Sequence, residues 1–245
     1  MKTVVIIPAR MASQRFPDKP MVKINGIPMI KRVWLQALNS NIGDVYVACC
    51  EKEVFEYISD NGGNAIMTKK NLPSGTDRVH AALNTLDQYD NLDSIINLQG
   101  DMPLIKTEEI YKVNKIIEDG YEIGTLATSL SENEEKNLNI TKVKINWDKE
   151  KDIGEAVDFY KKPRNLTDKI YHHVGIYSFK PSSLDYFVKL PQSKNEIDYK
   201  LEQWRALEAG IKIGIGFADN VSLSVDTIDD LIQVENIIKK SDDKN

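Results

Sequence analysis

Arg10, Arg15 and Lys19 fall within ten residues of one another in the segment Pro8-Ala-Arg-Met-Ala-Ser-Gln-Arg-Phe-Pro-Asp-Lys-Pro20. Guanidinium forks and an ammonium group on one loop are a means of neutralising a polyphosphate, and Ser13 adds a hydroxyl among them. A merely solvated basic loop would carry the same residues. Two carboxylates stand out elsewhere: Asp101 in Asn97-Leu-Gln-Gly-Asp-Met-Pro103 and Asp226 in Ser224-Val-Asp-Thr227, each after a short apolar stretch. Mg²⁺ takes one or two protein carboxylates and completes its shell with phosphates and water. Both aspartates also have a plainer reading as turn or helix caps, and Thr-Ile-Asp-Asp after Asp226 makes an N-cap credible. No GxxxxGK[ST] or GxGxxG string occurs, which argues against a Walker loop and against dinucleotide redox chemistry.

The surrounding elements have to bring these groups together. Thr3–Ile7 is a β-branched run without polar alternation, as expected of a strand buried on both faces of a parallel sheet. A helix is expected over Ile27–Asn39, a strand over Val45–Ala48, and a helix over Glu51–Asn61 that stops at Gly62-Gly63. A strand over Ala65–Met67, a helix over Asp77–Leu86 and a strand over Ser94–Leu98 follow. This alternation predicts a doubly wound α/β fold with a mostly parallel sheet, in which ligands sit beyond the carboxyl ends of the strands. Pro8–Pro20 and Gln99–Pro103 are two such ends.

Past residue 122 the pattern becomes less regular. Strands are expected near Ile123–Leu130, Thr141–Ile145, Ala156–Phe159 and Val174–Phe179, with Ser131–Asn139 as a loop. One helix over Glu196–Ala209, a strand over Ile211–Phe217 and a closing helix over Thr227–Lys240 complete the reading.

Composition sets the limits. The 245 residues carry 32 Lys+Arg against 37 Asp+Glu, a formal charge of −5, with 41% hydrophobic content. That suits a globular chain of one large domain or two fused ones, and the acidic total argues against general nucleic-acid binding. Any polyanion must therefore meet a local cluster of cations. Cys49 and Cys50 are adjacent, a spacing that rarely meets disulfide geometry, so free thiols in a reducing, cytoplasmic setting are expected. The apolar run Val4–Ile7 is too short for a signal peptide or a membrane span.

Seven strings in order, Ile7-Pro-Ala-Arg-Met-Ala-Ser-Gln-Arg-Phe-Pro-Asp-Lys-Pro20, Ile24-Asn-Gly-Ile-Pro-Met-Ile30, Ser74-Gly-Thr-Asp-Arg78, Gln99-Gly-Asp101, His173-Val-Gly-Ile-Tyr177, Leu201-Glu-Gln-Trp-Arg205 and Val225-Asp-Thr227, resemble the CMP-KDO synthetases, the 3-deoxy-manno-octulosonate (KDO) cytidylyltransferases. The resemblance spans nearly the whole chain and implies a nucleotide-diphospho-sugar transferase-like fold. It implies a nucleotide-binding part over residues 1–122 and a sugar-binding and dimerisation part over 123–245 that returns to the main sheet. CTP would lie on Ala9, Arg10, Ser13, Arg15 and Lys19, with Ser74, Gly75, Arg78 and Gln99 near the cytidine and Mg²⁺ on Asp101 and Asp226. Lys19, Arg10, Asp101 and Asp226 would carry the chemistry. The sugar would meet His173, Tyr177, Glu196, Tyr199, Glu202 and Gln203, and its anomeric hydroxyl would attack the α-phosphorus and release pyrophosphate. A homodimer and a role in lipopolysaccharide or capsule synthesis are also implied.

Three of the aromatic and histidine candidates have a structural reading. His172 reads as a surface or sheet residue, His80 as structural, and Tyr177 equally as core. The chain also departs from the family pattern. Met102 replaces a glutamate, Phe159-Tyr-Lys-Lys-Pro163 stands where a Ser-Arg pair is usual, and Tyr199 replaces a glutamate. If Glu196, Tyr199 and Gln203 share one helical face, Tyr199 would reshape the sugar pocket. The acceptor would then be KDO, an 8-amino analogue or another acidic sugar. A sialic-acid-type enzyme is disfavoured by Met11-Ala12-Ser13 in place of Gly-Gly-Ser. A non-catalytic nucleotide sensor is disfavoured by the presence of both aspartates.

Overall fold

Thr3–Pro8 forms β1, and every residue of it is buried, as an apolar run without alternation requires. The computed structural model describes residues 1–12, 16–87, 89–148, 152–162, 169–219 and 223–242. Of the candidate residues, Ser13 and Arg15 lie outside that set. A small hairpin follows β1, β2 (Lys23–Ile24) and β3 (Ile27–Pro28), turned by Asn25 and Gly26 at φ 46° and 80°. Two left-handed residues suit an Asn-Gly turn because Gly, and to a lesser degree Asn, tolerates positive φ. Then come α1 (Met29–Ser40), β4 (Gly43–Cys49), α2 (Lys52–Asp60), β5 (Asn64–Met67) and α3 (Gly75–Leu83).

Next in the chain are β6 (Ser94–Asn97), α4 (Thr107–Glu118), β7 (Ile123–Thr128), α5 (Glu132–Lys136), β8 (Lys142–Trp147), β9 (Ile153–Tyr160) and β10 (Ile170–Phe179). Three helices, α6 (Pro181–Lys189), α7 (Lys194–Tyr199) and α8 (Gln203–Glu208), precede β11 (Ile213–Phe217) and α9 (Ile228–Asp242). The chain divides into two compact units. One holds Lys2–Leu92, Asn97–Ile110 and Ser222–Asn245; the other holds Asp93–Ile96 and Tyr111–Val221.

In the first unit β1 pairs in parallel with β4, and β4 with β5. The last helix returns to this unit. Val225, Val234 and Ile238 share a core with Ile24 of the hairpin and Met29 of α1. Asn25 adds two bonds to α9, its N–H to Glu235 Oε1 at 3.2 Å and its Nδ2 to the Glu235 carbonyl at 3.3 Å.

In the second unit β7 lies between antiparallel β10 and parallel β11, and β11 is followed outward by β9 and β8. Because β8 also pairs with β10, these strands close into a barrel-like ring. The β10–β7 ladder has a register break. Val174 faces Leu126 and Tyr177 faces Thr125, so Gly175 and Ile176 form a bulge.

Several sequence expectations are corrected here. Ser131–Asn139 is not all loop, because α5 begins on a capping box in which Ser131 Oγ and the Glu134 carboxylate satisfy each other's backbone N–H groups. The expected single helix over Glu196–Ala209 is two helices. Lys200 sits at φ 55°, which ends α7, and the chain restarts at Gln203. The helices α4 and α6 were not anticipated.

Candidate active site

The loops after β1 and β6, the start of α3 and the residues before α9 line one cleft of about 270 Å³ in the first unit. Ala9, Arg10, Lys19, Ser74, Gly75, Arg78, Gln99, Asp101 and Asp226 all border it. These nine sequence candidates, scattered over more than 200 positions, are thus brought together.

Lys19 is at the centre. Its Nζ lies 2.6 Å from Asp101 Oδ2 and 3.0 Å from Asp226 Oδ1. Burial alone would lower the lysine pKa, but the two carboxylates outweigh it and hold Lys19 above its ordinary value. Asp226 is not the cap of α9. Thr227 does that work: its Oγ1 accepts from Asp230 N–H at 3.3 Å, and Asp230 Oδ2 accepts in return from Thr227 N–H at 2.8 Å. The Asp226 carboxylate is therefore turned to Lys19. The Val225 N–H donates to the Asp101 carbonyl at 2.9 Å, which ties the two aspartate segments together.

The donor set suits a hard divalent cation. Two carboxylates, 28% and 31% exposed, converge on one positive group, and two is the number of protein carboxylates Mg²⁺ accepts beside phosphate oxygens. No group of three or more His, Cys, Asp or Glu side chains placed for a metal occurs among the described residues, so the phosphates would have to complete the shell.

The residues expected near the cytidine are already committed to other groups. Ser74 caps α3, its Oγ accepting from Asp77 N–H at 3.1 Å and donating to Asp77 Oδ2 at 2.6 Å. Arg78 is 2% exposed and its Nη1 donates to Thr68 Oγ1 and to the Lys69 carbonyl, fixing the segment after β5. Gln99 Nε2 donates to buried Asn97 Oδ1 at 2.8 Å, which orients the glutamine at the rim. Gly100 is required by close approach, since a Cβ there would lie 2.9 Å from the Pro8 carbonyl oxygen and 3.3 Å from Ile30. Cys49 and Cys50 are free, as expected, and burial, aided by Cys50 and Glu51, pushes the Cys49 thiol up to about 12. It is no nucleophile at neutral pH.

The second unit holds a polar cluster of its own. His173 and Tyr177 lie with ring centroids 5.5 Å apart, and Gln203 Nε2 donates to the Tyr177 hydroxyl. Gln203 Oε1 is buried without a hydrogen-bond partner among the described residues. Flipping the amide would only leave its nitrogen without a partner instead, so one polar atom of Gln203 has no protein partner among the described residues either way. Burial and then Glu202 push the Tyr177 phenol upward, leaving it a neutral hydroxyl.

Glu196 and Tyr199 do not join this cluster. Glu196 receives Arg205 Nε at 2.8 Å and Arg205 Nη2 in a buried, forked ion pair. Tyr199 is 38% exposed and leans on Trp204. The break at Lys200 separates these residues from the face expected of a single helix. Sequence reasoning missed Arg205 as the partner of Glu196 and Thr125 as the partner of His173. Neither had a local signal, because both contacts depend on tertiary placement.

Burial, with a smaller contribution from His172, pushes the His173 pKa down to about 3 from 6.5. The folded protein thus binds fewer protons than the unfolded chain between those values, so stability rises with pH through the window and is lost on acidification. Between pH 7 and 5 this one group should cost about 2 kcal/mol. Urea unfolding of wild type and His173→Phe at both pH values checks it, with the variant's pH dependence expected to be smaller by that amount.

A model of the family described as "Cytidylyltransferase" matches residues 4–213. The 3-deoxy-manno-octulosonate cytidylyltransferase of Paramagnetospirillum magneticum is 40% identical over 240 residues, covering 96% of this chain and 97% of that protein. The enzyme of the same name from Rhodopseudomonas palustris strain BisB5 is 42% identical over 232 residues, covering 94% of each. Among solved structures, CMP:2-keto-3-deoxy-manno-octonic acid synthetase complexed with CTP superposes with a TM-score of 0.88 at 32% identity, over 98% of this chain and 100% of that one. A 4-diphosphocytidyl-2C-methyl-D-erythritol synthase from Anaerococcus prevotii shares the fold, with a TM-score of 0.65 at 14% identity over 97% of this chain and 98% of that one. No helix among the described residues is long and apolar enough to cross a membrane. With a mixed α/β fold, a cationic cleft around two paired aspartates and full-length likeness at this level, the chain belongs to the 3-deoxy-manno-octulosonate cytidylyltransferase family.

Proposed function

We propose that this enzyme transfers CMP from CTP to the anomeric hydroxyl of KDO, releasing pyrophosphate and supplying an activated sugar for lipopolysaccharide synthesis. The observation that carries the reading is Lys19 held between Asp101 and Asp226 in a cleft that also presents Arg10 and Arg78. Arg10 and Lys19 neutralise the triphosphate, and Ser13 and Arg15, outside the described residues, are assigned to the same task by their place in the loop. Gln99, Ser74, Gly75 and Arg78 frame the cytidine. Asp101 and Asp226 would hold Mg²⁺, which when bound would supply charge neutralisation for the phosphates and ease ionisation of the attacking hydroxyl. The protein's own part is alignment and fixed positive charge, so no covalent intermediate on the enzyme is needed.

His173, Tyr177 and Gln203 offer neutral acceptors and donors suited to a polyhydroxylated acid, with Glu202 beside them. Two of the three departures from the family pattern lie away from this cluster, while Phe159 of the third packs edge-on against His173. Met102 is 2% exposed, packed in the core and not part of the cleft lining, and Tyr199 is turned outward. That supports KDO itself as the acceptor over its 8-amino analogue or a sialic acid. Pyrophosphate release measured side by side with the three acids tests it. KDO should have the highest kcat/KM by at least about tenfold, the low end of what a small difference in pocket fit supplies. A higher value for another acid would overturn the assignment. The resemblance further supports a homodimer.

A further inference from the structure

The bulge in β10 gives Thr125 a set of partners that an unbroken ladder would not. Opposite Gly175 and Ile176, the Thr125 hydroxyl lies 2.8 Å from the Ile176 carbonyl oxygen and 3.1 Å from that of Val174. It also lies 3.0 Å from His173 Nε2. Thr125 is fully buried, so no water competes for these bonds.

The hydrogen count then fixes the imidazole. A threonine hydroxyl has one proton and two lone pairs, whereas a carbonyl oxygen only accepts. If that proton went to His173 Nε2, two carbonyl oxygens would face the hydroxyl's lone pairs at bonding distance with no hydrogen between them. The proton must therefore go to the bulge carbonyls, and the hydroxyl oxygen accepts from His173. Nε2 carries the hydrogen and Nδ1 the lone pair. The same bond sets which way round the ring lies, because a ring turned over would place Cε1 instead of Nε2 against the Thr125 hydroxyl.

We propose that Thr125 is a positioning residue that holds His173 in the Nε2–H tautomer, so that Nδ1 serves as a neutral hydrogen-bond acceptor for a hydroxyl of the sugar. The proposal rests on the reading of His173 as a sugar-binding group. It adds that the direction of this hydrogen bond is set from behind, by a side chain that nothing in the local sequence marks as functional.

Histidine ¹⁵N NMR of the full-length, ligand-free enzyme reads the tautomer directly, with His173→Phe assigning the signal. Wild type should show a protonated Nε2 and an unprotonated Nδ1. Thr125→Val keeps the shape but removes the hydroxyl. It should shift His173 toward the other tautomer and raise the KM for KDO about three- to tenfold, the worth of one neutral hydrogen bond, with the KM for CTP unchanged. Thr125→Ser should restore both the tautomer and the KM, because only the hydroxyl is required.

Three results would overturn the assignment: a wild-type His173 protonated on Nδ1, a Thr125→Val enzyme with unchanged tautomer and KM, or a Thr125→Ser enzyme as impaired as the valine variant. Failure of the underlying reading looks different. His173→Phe would then leave the KM for KDO unchanged, whatever tautomer the ligand-free protein shows.

Discussion

Replacing Asp101 by asparagine should lower kcat by about 100- to 1,000-fold while leaving a folded protein that still binds CTP. The size follows from what is removed. In the proposed reaction Asp101 is one of two carboxylates that organise positive charge where negative charge develops, and losing one such group costs about 3–4 kcal/mol of transition-state stabilisation. The fold should survive because the change is nearly isosteric and Lys19 keeps its second partner, Asp226, at 3.0 Å. Both aspartates are about a third exposed, so the lost ion pair should cost the fold no more than about 1 kcal/mol. Single-turnover kinetics together with a thermal melt separate the two effects. A wild-type rate in Asp101→Asn would remove this residue from the reaction.

The largest effect on stability is expected at Arg205. Its side chain and that of Glu196 are 5% and 6% exposed, and the guanidinium also covers the Phe187 ring with its centre 4.8 Å from the ring centroid. Arg205→Met leaves a carboxylate enclosed, with only the Ser193 N–H at 3.2 Å and Gln192 Nε2 at 3.3 Å among its remaining bonds. Breaking a buried pair from one side costs about 3–5 kcal/mol because the stranded charge keeps its desolvation penalty. Burial would raise the Glu196 pKa, but Arg205 outweighs it and holds the carboxyl below its usual range.

The sign of the pH effect follows from that balance. In wild type the pair stabilises the fold above the unfolded glutamate pKa, and this is lost as pH falls through the lower folded value. In Arg205→Met burial prevails, so Glu196 takes up a proton early and sheds the penalty. The stability gap between the two proteins should thus be widest near neutrality and narrow toward pH 4. The double variant Glu196→Met, Arg205→Met should recover most of the loss, since two apolar side chains of similar volume strand no charge. Urea unfolding of the three proteins checks both points. A single variant within about 1 kcal/mol of wild type would show that the pair is not desolvated in solution.

What could be read from the chain divides along a physical line. β1, β4 and β6 were legible because strands buried on both faces need unbroken apolar runs. The cations and carboxylates of the cleft were legible because loops beyond strand ends are where such sheets bind ligands. The plainer reading of Asp226 as a cap was decided only by geometry, when Thr227 and Asp230 proved to cap each other. Ser131-Glu-Asn-Glu134 and Ser193-Lys-Asn-Glu196 both carry the capping-box spacing, so both helix starts are marked in the sequence, although the first stretch has a loop-like composition and the second helix is expected only from Glu196. The break at Lys200 had no such mark, because a lysine in left-handed geometry is held there by its surroundings and not by its own preference. The bulge opposite Thr125 was equally hidden. Strand periodicity gives the face a residue occupies but not an irregularity in its pairing.

The return of the last helix to the hairpin bears on when this enzyme becomes an enzyme. Asp226 is made 207 residues after the lysine it pairs with, and Ile24 and Met29 lack part of their apolar cover until Val225, Val234 and Ile238 arrive. During synthesis the first strands and helices must wait on the order of ten seconds for the whole second unit to be translated before the cleft gains its second carboxylate. A chain interrupted anywhere in that interval carries Lys19 but only one of the two carboxylates that pair with it. Lys19 therefore has both of its carboxylate partners only once the segment that carries Asp226 has been made.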